Sequence, residues 1–450
     1  MLKPDTSGAT VQSSSPRDLN EPQLQASLTT PEMKRILASS FIGSAVEYYD
    51  FLLYATASAI VFNKVFFVNM PPALATFASF ATFAVGYLAR PLGGALFGHF
   101  GDRIGRKKML VLSMMMVGFA TLAIGFLPTA ATIGIAAPII LTVIRLVQGI
   151  AVGGEWGGAA LMALEHAPKN KRGFATSFAT AGGPAGSILA TLALSGAAAL
   201  TGPNFLVWGW RIPFLLSAVL VVVGLVIRVK VSESPLFVKL EEASAKRRLP
   251  LMEVFTRHPK AVAVALLVAL GFAVTQGLTT VWGVSVATEA GAPNTGVLNW
   301  KAAGALVTLV MTFAAARLSD RYGRRNVIAT GAILGLVLAL PIISWFESGT
   351  LTGFGIAVVL GNGIVQGLLF GPVGAYIAEL FPTAVRFTGA SLAFQGASAL
   401  GVGLSPLIAQ TLVIQTGSFH AVALFWGGIM AVVLLVLLVN KDTAKKELIH

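Results

Sequence analysis

The sequence contains no cysteine among its 450 residues, and only 11% of its residues are charged. The absence of cysteine excludes disulfide bonds, thiol nucleophiles and cysteine-ligated metal sites. The five histidines form no His-Glu-x-x-His pattern and no P-loop segment is present, so we expect no metal, no organic cofactor and no enzymatic activity. Soluble domains contain roughly 25% charged residues, so the low charge also argues against a soluble enzyme, a disordered scaffold or a nucleic-acid-binding protein.

In place of charge, the sequence has long apolar runs. Hydrophobic residues make up 55% of the chain, and a series of stretches approaches the roughly 20 residues that a transmembrane helix needs. These stretches predict an all-α membrane protein with twelve transmembrane helices. They are residues 36–62, 73–98, 109–127, 134–161, 174–198, 208–229, 261–287, 297–316, 327–346, 353–377, 389–412 and 419–439.

The positive charges are unevenly distributed over this predicted topology. The net charge is +13, and most lysines and arginines fall in segments that share one side of the membrane if the N-terminus is cytoplasmic. The other side has only Lys64, Arg211 and Lys301. Because cytoplasmic loops are enriched in Lys and Arg, we expect both termini in the cytoplasm, and no nucleic-acid partner is needed to explain the charge. Residues 1–31 are rich in Ser, Thr, Pro and Gln and lack an apolar signal-peptide core, so they predict a disordered cytoplasmic tail.

Two charged motifs occur twice, once in each half of the chain. Asp102-Arg103-Ile-Gly-Arg106 follows the second predicted span, and Asp320-Arg321-Tyr-Gly-Arg324 follows the eighth. At nearly the same offset, Glu165 and Arg172 follow the fourth span, and Glu379 and Arg386 follow the tenth. The repetition indicates a duplicated six-helix unit, a plan in which transporters bind substrate between the halves near mid-membrane. We therefore predict bundles at 32–230 and 261–440, a cytoplasmic linker at 231–260 and a cytoplasmic tail at 441–450.

These motifs carry a resemblance to a known family. The loop Gly98-x-x-x-Asp102-Arg103-x-Gly105-Arg106-Lys107 resembles the signature of the major facilitator superfamily, and several first-half segments resemble its metabolite:proton symporters. The segments are VEYYDF at 46–51, ARPLGG at 89–94, RLVQG at 145–149, VGGEWGG at 152–158 and WGWRIPF at 208–214. Residues 167–171 look most like shikimate permeases, whereas the second half is similar mainly in its loop signatures and leaves the substrate open. The resemblance implies two pseudo-symmetric six-helix bundles, alternating access and a prokaryotic plasma membrane.

Ionisable residues inside the predicted spans are the candidates for proton coupling. Glu47 and Asp50 are three residues apart and share one face of the first span near mid-membrane. Arg145 in the fourth span should lie at a similar depth, and Glu155 nearer the cytoplasm. A carboxylate that makes and breaks a contact with Arg145 can bind and release a proton, since such residues in a span are costly and usually face a cavity or partner. The alternative is that these charges form a static ion pair between helices.

Polar residues in both halves are the candidates for substrate binding. The guanidinium groups match a carboxylate in a bidentate fork, and neutral side chains supply further hydrogen bonds. The alternative for each is a hydrogen bond that holds helices together. The candidates are Tyr54, Arg90, Arg145, Gln148, Gln276, Thr279, Asn362 and Gln366.

The resemblance implies that the repeated loop motifs form the cytoplasmic gate. In this interpretation their charged residues make salt bridges that close the inner side when the transporter faces outward. The alternative is a role in topology and folding. The gating candidates are Asp102, Arg103, Arg106, Glu165, Arg172, Asp320, Arg321, Arg324, Glu379 and Arg386.

We therefore expect a monomeric, proton-coupled importer of a small polar metabolite, in particular a carboxylate such as shikimate. Its partners are the metabolite, the proton as coupling ion and the lipid bilayer. A proline/betaine-type zwitterion symporter remains an alternative. So does a drug:proton antiporter, because Gly183-Pro184-Ala-Gly186 partly resembles an antiporter motif. A facilitator, a transporter-like sensor and a membrane-embedded enzyme are further alternatives, although the tails and linker are too short for a sensor domain and no nucleophile–base set is visible.

Overall fold

A computed structural model describes residues 31–94, 96–97, 106–153, 161, 163–164, 167–230, 250–382, 385–440 and 442. Four predicted site residues lie outside the described residues: Asp102, Arg103, Glu155 and Glu165. Only the backbone of Arg106 belongs to the described part. The predicted N-terminal tail up to residue 30, the linker residues 231–249 and the C-terminal tail other than Asp442 also lie outside it.

The described part of the first half contains six long helices. Helix α1 begins with Pro31–Ala57 and continues through a π-helical turn, Ser58–Phe62, into Asn63–Val65. The others are α2 (Pro72–Gly94), α3 (Arg106–Phe126), α4 (Ala136–Val152), α5 (Arg172–Thr201) and α6 (Arg211–Lys230). Short helical segments at Ala130–Ile133, Lys169–Lys171, Gly202–Asn204 and Phe205–Gly209 connect them.

The described part of the second half also contains six long helices, preceded by the short helix Pro250–Arg257. They are α7 (Pro259–Glu289), α8 (Asn294–Tyr322), α9 (Arg324–Glu347), α10 (Leu351–Glu379), α11 (Arg386–Thr416) and α12 (His420–Val439). Each of the twelve helices overlaps one predicted span. By length and composition, eight of the described helices are apolar enough to cross a membrane. The all-α, twelve-helix prediction is thus confirmed.

The two most extensive helix–helix contacts between the halves are related by the internal repeat. The long α5 packs along α8, where Phe174 and Phe178 contact the ring of Phe313. Likewise, α2 packs along α11. Because an offset of six helices converts α2 into α8 and α5 into α11, the two contacts exchange under the internal repeat. This arrangement leaves a central space bordered by α1, α5, α7, α8 and α10.

Several long helices contain a π-helical turn that the apolar pattern did not predict. The turn in α1 is Ser58–Phe62, that in α7 is Leu278–Trp282, and that in α10 is Val359–Gln366. Such turns re-aim side chains and occur often at functional sites. The turns in α7 and α10 carry Thr280, Asn362 and Gln366, which border the central space.

A glycine seam allows α2 and α4 to approach closely. A Cβ atom at Gly149 would collide with the backbone oxygen of Gly86, and one at Gly153 with that of Arg90. Small residues at such contacts let helix backbones pack directly in a membrane. The seam holds α4, and therefore Arg145, tightly against α2.

The seam predicts the effect of one added methyl group. Gly149→Ala is expected to lower the free energy of unfolding by about 1–3 kcal/mol, because the close-packed contact cannot accommodate it. The measurement is the thermal unfolding midpoint in detergent. Gly196→Ala is the matched control, since a Cβ at exposed Gly196 in α5 meets nothing within 4 Å. Equal midpoints for the two variants would contradict the tight seam.

Candidate functional site

A small internal cavity lies between the two halves of the molecule. The cavity is narrow in this structure, with room for about one water molecule. The residues that line it carry no ionisable acid or base other than the Tyr48 phenol, and amides and hydroxyls face two aromatic rings. They are Tyr48, Gly183, Pro184, Ser187, Gln276, Thr280, Ala305, Thr308, Asn362, Gln366 and Phe370.

Hydrogen bonds within the lining leave a buried acceptor, the Oε1 atom of Gln366, unused. The Thr308 hydroxyl lies 2.8 Å from the Asn362 carbonyl oxygen, and the Thr280 hydroxyl donates to the Gln276 carbonyl oxygen over 2.7 Å. In contrast, the buried Oε1 atom of Gln366 has no hydrogen-bond partner in the structure. A buried polar atom without a hydrogen bond destabilises the fold. The Oε1 atom of Gln366 can therefore gain a hydrogen bond from a bound hydroxyl or ammonium group.

The structure divides the eight predicted substrate-binding residues between different places. Gln276, Asn362 and Gln366 line the cavity. Thr279 is buried beside it, and its hydroxyl donates to the Thr275 carbonyl oxygen over 2.7 Å. The other four, Tyr54, Arg90, Arg145 and Gln148, are not among the residues that line it.

Several residues of the lining were not among the candidates predicted from the sequence. Tyr48 and Phe370 supply its aromatic walls, and Ser187 and Thr308 supply hydroxyls. Tyr48 lies between the two selected acids Glu47 and Asp50, but an aromatic residue in a span gives no signal of its own. The α8 residues Ala305 and Thr308 recur with helical spacing, a pattern that a buried helix face shares.

Asp50 lies in a second site, inside the N-terminal bundle. Its side chain is buried, and its Oδ1 atom has no hydrogen-bond partner. The hydroxyl of Thr121 on α3 interacts with the Asp50 carboxyl group. The same hydroxyl accepts a hydrogen bond of 2.8 Å from Gln148 Nε2, and Gln148 Oε1 accepts one of 3.1 Å from Arg145 Nη1. A polar chain thus connects Asp50 to Arg145 through two neutral side chains.

The expected direct ion pair between Asp50 and Arg145 does not form. Within the described residues, no carboxylate oxygen of Asp50 lies within 4 Å of the Arg145 guanidinium. The guanidinium instead lies over the rings of Phe51 and Tyr54, at 4.3 and 4.2 Å from their centroids. Cation–π attraction holds it there. Glu47 is partly buried on the same helix.

Arg90 connects the halves away from the cavity. Its guanidinium lies over the rings of Phe51 and Tyr87, at 4.1 and 4.0 Å from their centroids. Its Nη1 atom donates a hydrogen bond of 3.1 Å to Gln395 Oε1 on α11. The Tyr54 hydroxyl bonds Thr82 at 2.6 Å on the same side of the bundle. The ring of Phe51 thus lies under both guanidinium groups, that of Arg90 and that of Arg145.

Asp320 joins the halves at what we call the basic end, where α8 ends and α9 begins amid Arg317, Arg321, Arg324 and Arg325. Its two carboxylate oxygens accept hydrogen bonds of 2.9 Å from the backbone N–H groups of Gly173 and Phe174. A carboxylate at a helix N-terminus satisfies free N–H groups and interacts favourably with the helix dipole. A residue of the second half thus caps α5 of the first half.

The described gating candidates near this cap make further contacts at the basic end. Arg324 donates to Asp320 over 2.6 Å and lies 3.4 Å from Glu379. Arg386 Nε donates to the carbonyl oxygens of Ala378 and Phe381. Arg172 is partly buried, and exposed Arg321 lies over the ring of Tyr322. Among the described residues, Asp320 therefore links the halves through a helix cap, because Gly173 brings the α5 backbone against its carboxylate. The salt bridges expected of Asp102 and Glu165 lie outside the described residues.

Contacts also join the halves at the opposite end. The Thr76 hydroxyl of α2 donates to Glu289 Oε1 of α7 over 2.5 Å. Ser195 of α5 donates to Asn299 Oδ1 of α8 over 2.9 Å. The cavity is therefore held between bonded contacts on both sides.

Comparisons with known proteins agree with this architecture. The family model described as Major Facilitator Superfamily matches residues 40–361 and 285–449. The inner membrane metabolite transport protein YhjE of Escherichia coli (strain K12) is 41% identical over 92% of this chain and 95% of its own length. The shikimate transporter of the same organism is 40% identical over 89% and 93%. The structure of the E. coli xylose transporter XylE in a partially occluded inward open conformation is similar in fold, with a TM-score of 0.72, 16% identity, and coverage of 92% and 99%.

Proposed function

Because this chain belongs to the Major Facilitator Superfamily, as a transporter of metabolites in the bacterial inner membrane, we propose that it imports a small carboxylate together with a proton. The coupling residue is Asp50, and the substrate site is the central cavity. The basic end is cytoplasmic, since cytoplasmic segments of membrane proteins are enriched in Lys and Arg. The activity is transport, and the family and these relatives are not enzymes.

The observation that carries the proposal is that the buried Asp50 carboxyl group has no direct counter-ion among the described residues. No cation of the described part lies within 4 Å of it, and one of its oxygens lacks a hydrogen bond. A static structural ion pair would hold the carboxylate against its partner. An acid in the bundle interior without a direct counter-ion is instead able to change its protonation state as access to it changes.

Thr121 gives the protonation state a route to the rest of the bundle. Its hydroxyl lies 2.9 Å from the Val117 carbonyl oxygen and also interacts with Asp50. One hydroxyl donates a single hydrogen bond. An ionised Asp50 competes for that proton, whereas a protonated Asp50 donates its own. The change passes to Gln148 and Arg145 on α4, beside the seam with α2.

The cavity and the relatives together support a carboxylate with hydroxyl groups as substrate. The amides of Gln276, Asn362 and Gln366 suit hydroxyl groups, and a 40%-identical relative is a shikimate transporter. Shikimate carries one carboxylate and three hydroxyls. Transport of a monoanion with one proton is electroneutral, so a pH gradient alone drives it.

Uptake into proteoliposomes tests the proposal. An inside-alkaline gradient of one pH unit is expected to concentrate labelled shikimate up to about tenfold for each proton transported, since one pH unit corresponds to 1.36 kcal/mol. An uncoupler that collapses the gradient should abolish the accumulation. Labelled 2-oxoglutarate, citrate, proline and betaine are tested in the same way as alternative substrates. Equilibration that ignores the gradient would make the protein a facilitator, and concentration of proline or betaine alone would make it a zwitterion symporter.

A further inference from the structure

Lys301 is a buried ammonium group that the proposed proton relay does not use. Its side chain is completely buried in α8, although the charge pattern counted this residue among the few basic ones on the non-cytoplasmic side. Its Nζ atom donates a hydrogen bond to the Thr56 hydroxyl of α1, across the boundary between the halves. Thr56 in turn donates to the Leu52 carbonyl oxygen over 2.7 Å, so its hydroxyl acts as acceptor toward Lys301.

The charge of Lys301 has no counter-ion in the part of the chain that the structure describes. No carboxylate of the described residues lies within 4 Å of its Nζ atom. An ammonium group has three N–H donors, and the structure gives a partner to one. A buried charge without a counter-ion costs several kcal/mol, and ionisable residues inside membrane proteins typically mark substrate or ion pathways.

The helix geometry places Lys301 near the cavity, although it is not one of the lining residues. Lys301, Ala305 and Thr308 share one face of α8 because four and seven residues separate them, and the last two line the cavity. Four residues along a helix correspond to about 6 Å, which an extended lysine side chain can span. On α1, Thr56 stands two turns beyond the lining residue Tyr48. The Lys301–Thr56 bond therefore lies on the side of the cavity opposite Asp320, about one helical turn beyond the lining residue Ala305.

We propose that Lys301 binds the carboxylate of the transported substrate, with the cavity amides binding its hydroxyl groups. This inference rests on the proposed function and specifies its substrate as a small hydroxylated monocarboxylate. An arriving carboxylate replaces Thr56 as the acceptor and neutralises the buried charge. The same replacement breaks the Lys301–Thr56 hydrogen bond between α8 and α1. Binding is therefore coupled to opening of the molecule at this end.

Binding of shikimate and of its uncharged methyl ester to detergent-solubilised protein tests the assignment. Wild type is expected to bind the acid at least about tenfold more tightly than the ester, because a hydrogen bond to a charged group is lost in the ester. Lys301→Met should weaken binding of the acid about ten- to a hundredfold and abolish the preference over the ester. Lys301→Arg should retain the preference. Lys260→Met, at an exposed position at the start of α7, is the matched control and should bind like wild type.

A second variant decides the case in which Lys301→Met does not fold. Thr56→Val removes the competing acceptor, so it should strengthen binding of the acid several-fold and leave the ester unchanged. A purely structural Lys301–Thr56 bond predicts no gain. Wild-type-like binding by Lys301→Met overturns the Lys301 assignment alone, while the proposed function stands if wild type still concentrates shikimate. Lys301-dependent binding without gradient-driven uptake overturns the proton coupling alone. Wild type that binds none of the acid overturns both.

Discussion

Asp50→Asn is expected to reduce pH-driven accumulation of shikimate from about tenfold, at one pH unit and one proton, to no accumulation at all. Asparagine keeps the size and the contact with Thr121 but cannot exchange a proton, so the gradient has no group on which to act. The measurement is the ratio of internal to external labelled substrate in proteoliposomes. Counterflow, which needs no net proton movement, should continue because the cavity is unchanged.

The control for this prediction is Glu347→Gln. Glu347 is an exposed acid at the end of α9, and its replacement removes the same charge far from the relay. It should concentrate shikimate like wild type. If Asp50→Asn concentrates shikimate normally, Asp50 is not on the proton path and its buried carboxyl is structural.

Asp320→Ala is expected to open the basic end. The variant loses two charge-assisted hydrogen bonds to the start of α5 and the contact with Arg324. Since one hydrogen bond to a charged group contributes about 1.5–3 kcal/mol, the net loss of a single such bond should raise the open population by roughly ten- to a hundredfold. Binding of shikimate should remain, because Asp320 lies at the end of the molecule away from Lys301.

The absence of native cysteine makes this opening measurable. A single cysteine at buried Thr176, which packs beside Gly374 on α10, can be labelled by a membrane-impermeant maleimide only when the basic end opens. Labelling from that side should be faster in Asp320→Ala than in the parent. Asn326→Ala, an exposed neighbour on α9, should label like the parent. An unchanged labelling rate in Asp320→Ala would show that the helix cap does not hold the end closed.

The fold was largely predictable because the bilayer imposes a simple rule. A stretch of about 20 apolar residues is long enough to cross it, and the described helices follow the predicted spans closely. The repeat of Asp102 and Asp320 supplied the two halves. The π-helical turns were not predictable, since they depend on packing between helices and leave the apolar pattern intact.

The site was only partly predictable, for reasons that individual residues make clear. Asp50 stood out because acids in spans are rare, and Gln276, Asn362 and Gln366 because amides are. Lys301 was counted on the non-cytoplasmic side because it lies near the start of a predicted span, residues 297–316. The helix α8 actually begins at Asn294, seven residues before Lys301. Arg145 was expected to pair with Asp50 from depth alone. Depth gives no account of the rings of Phe51 and Tyr54, which lie beneath its guanidinium.

The most direct test of proton-coupled transport is to record proton entry together with shikimate entry. Proteoliposomes with a trapped pH-sensitive dye and no imposed gradient receive a pulse of shikimate, and protein-free liposomes correct for leakage of the uncharged acid. Symport coupled through Asp50 predicts that the interior of wild-type proteoliposomes acidifies in proportion to labelled shikimate entry, and that Asp50→Asn shows no acidification. Shikimate entry through wild-type protein without acidification would contradict it.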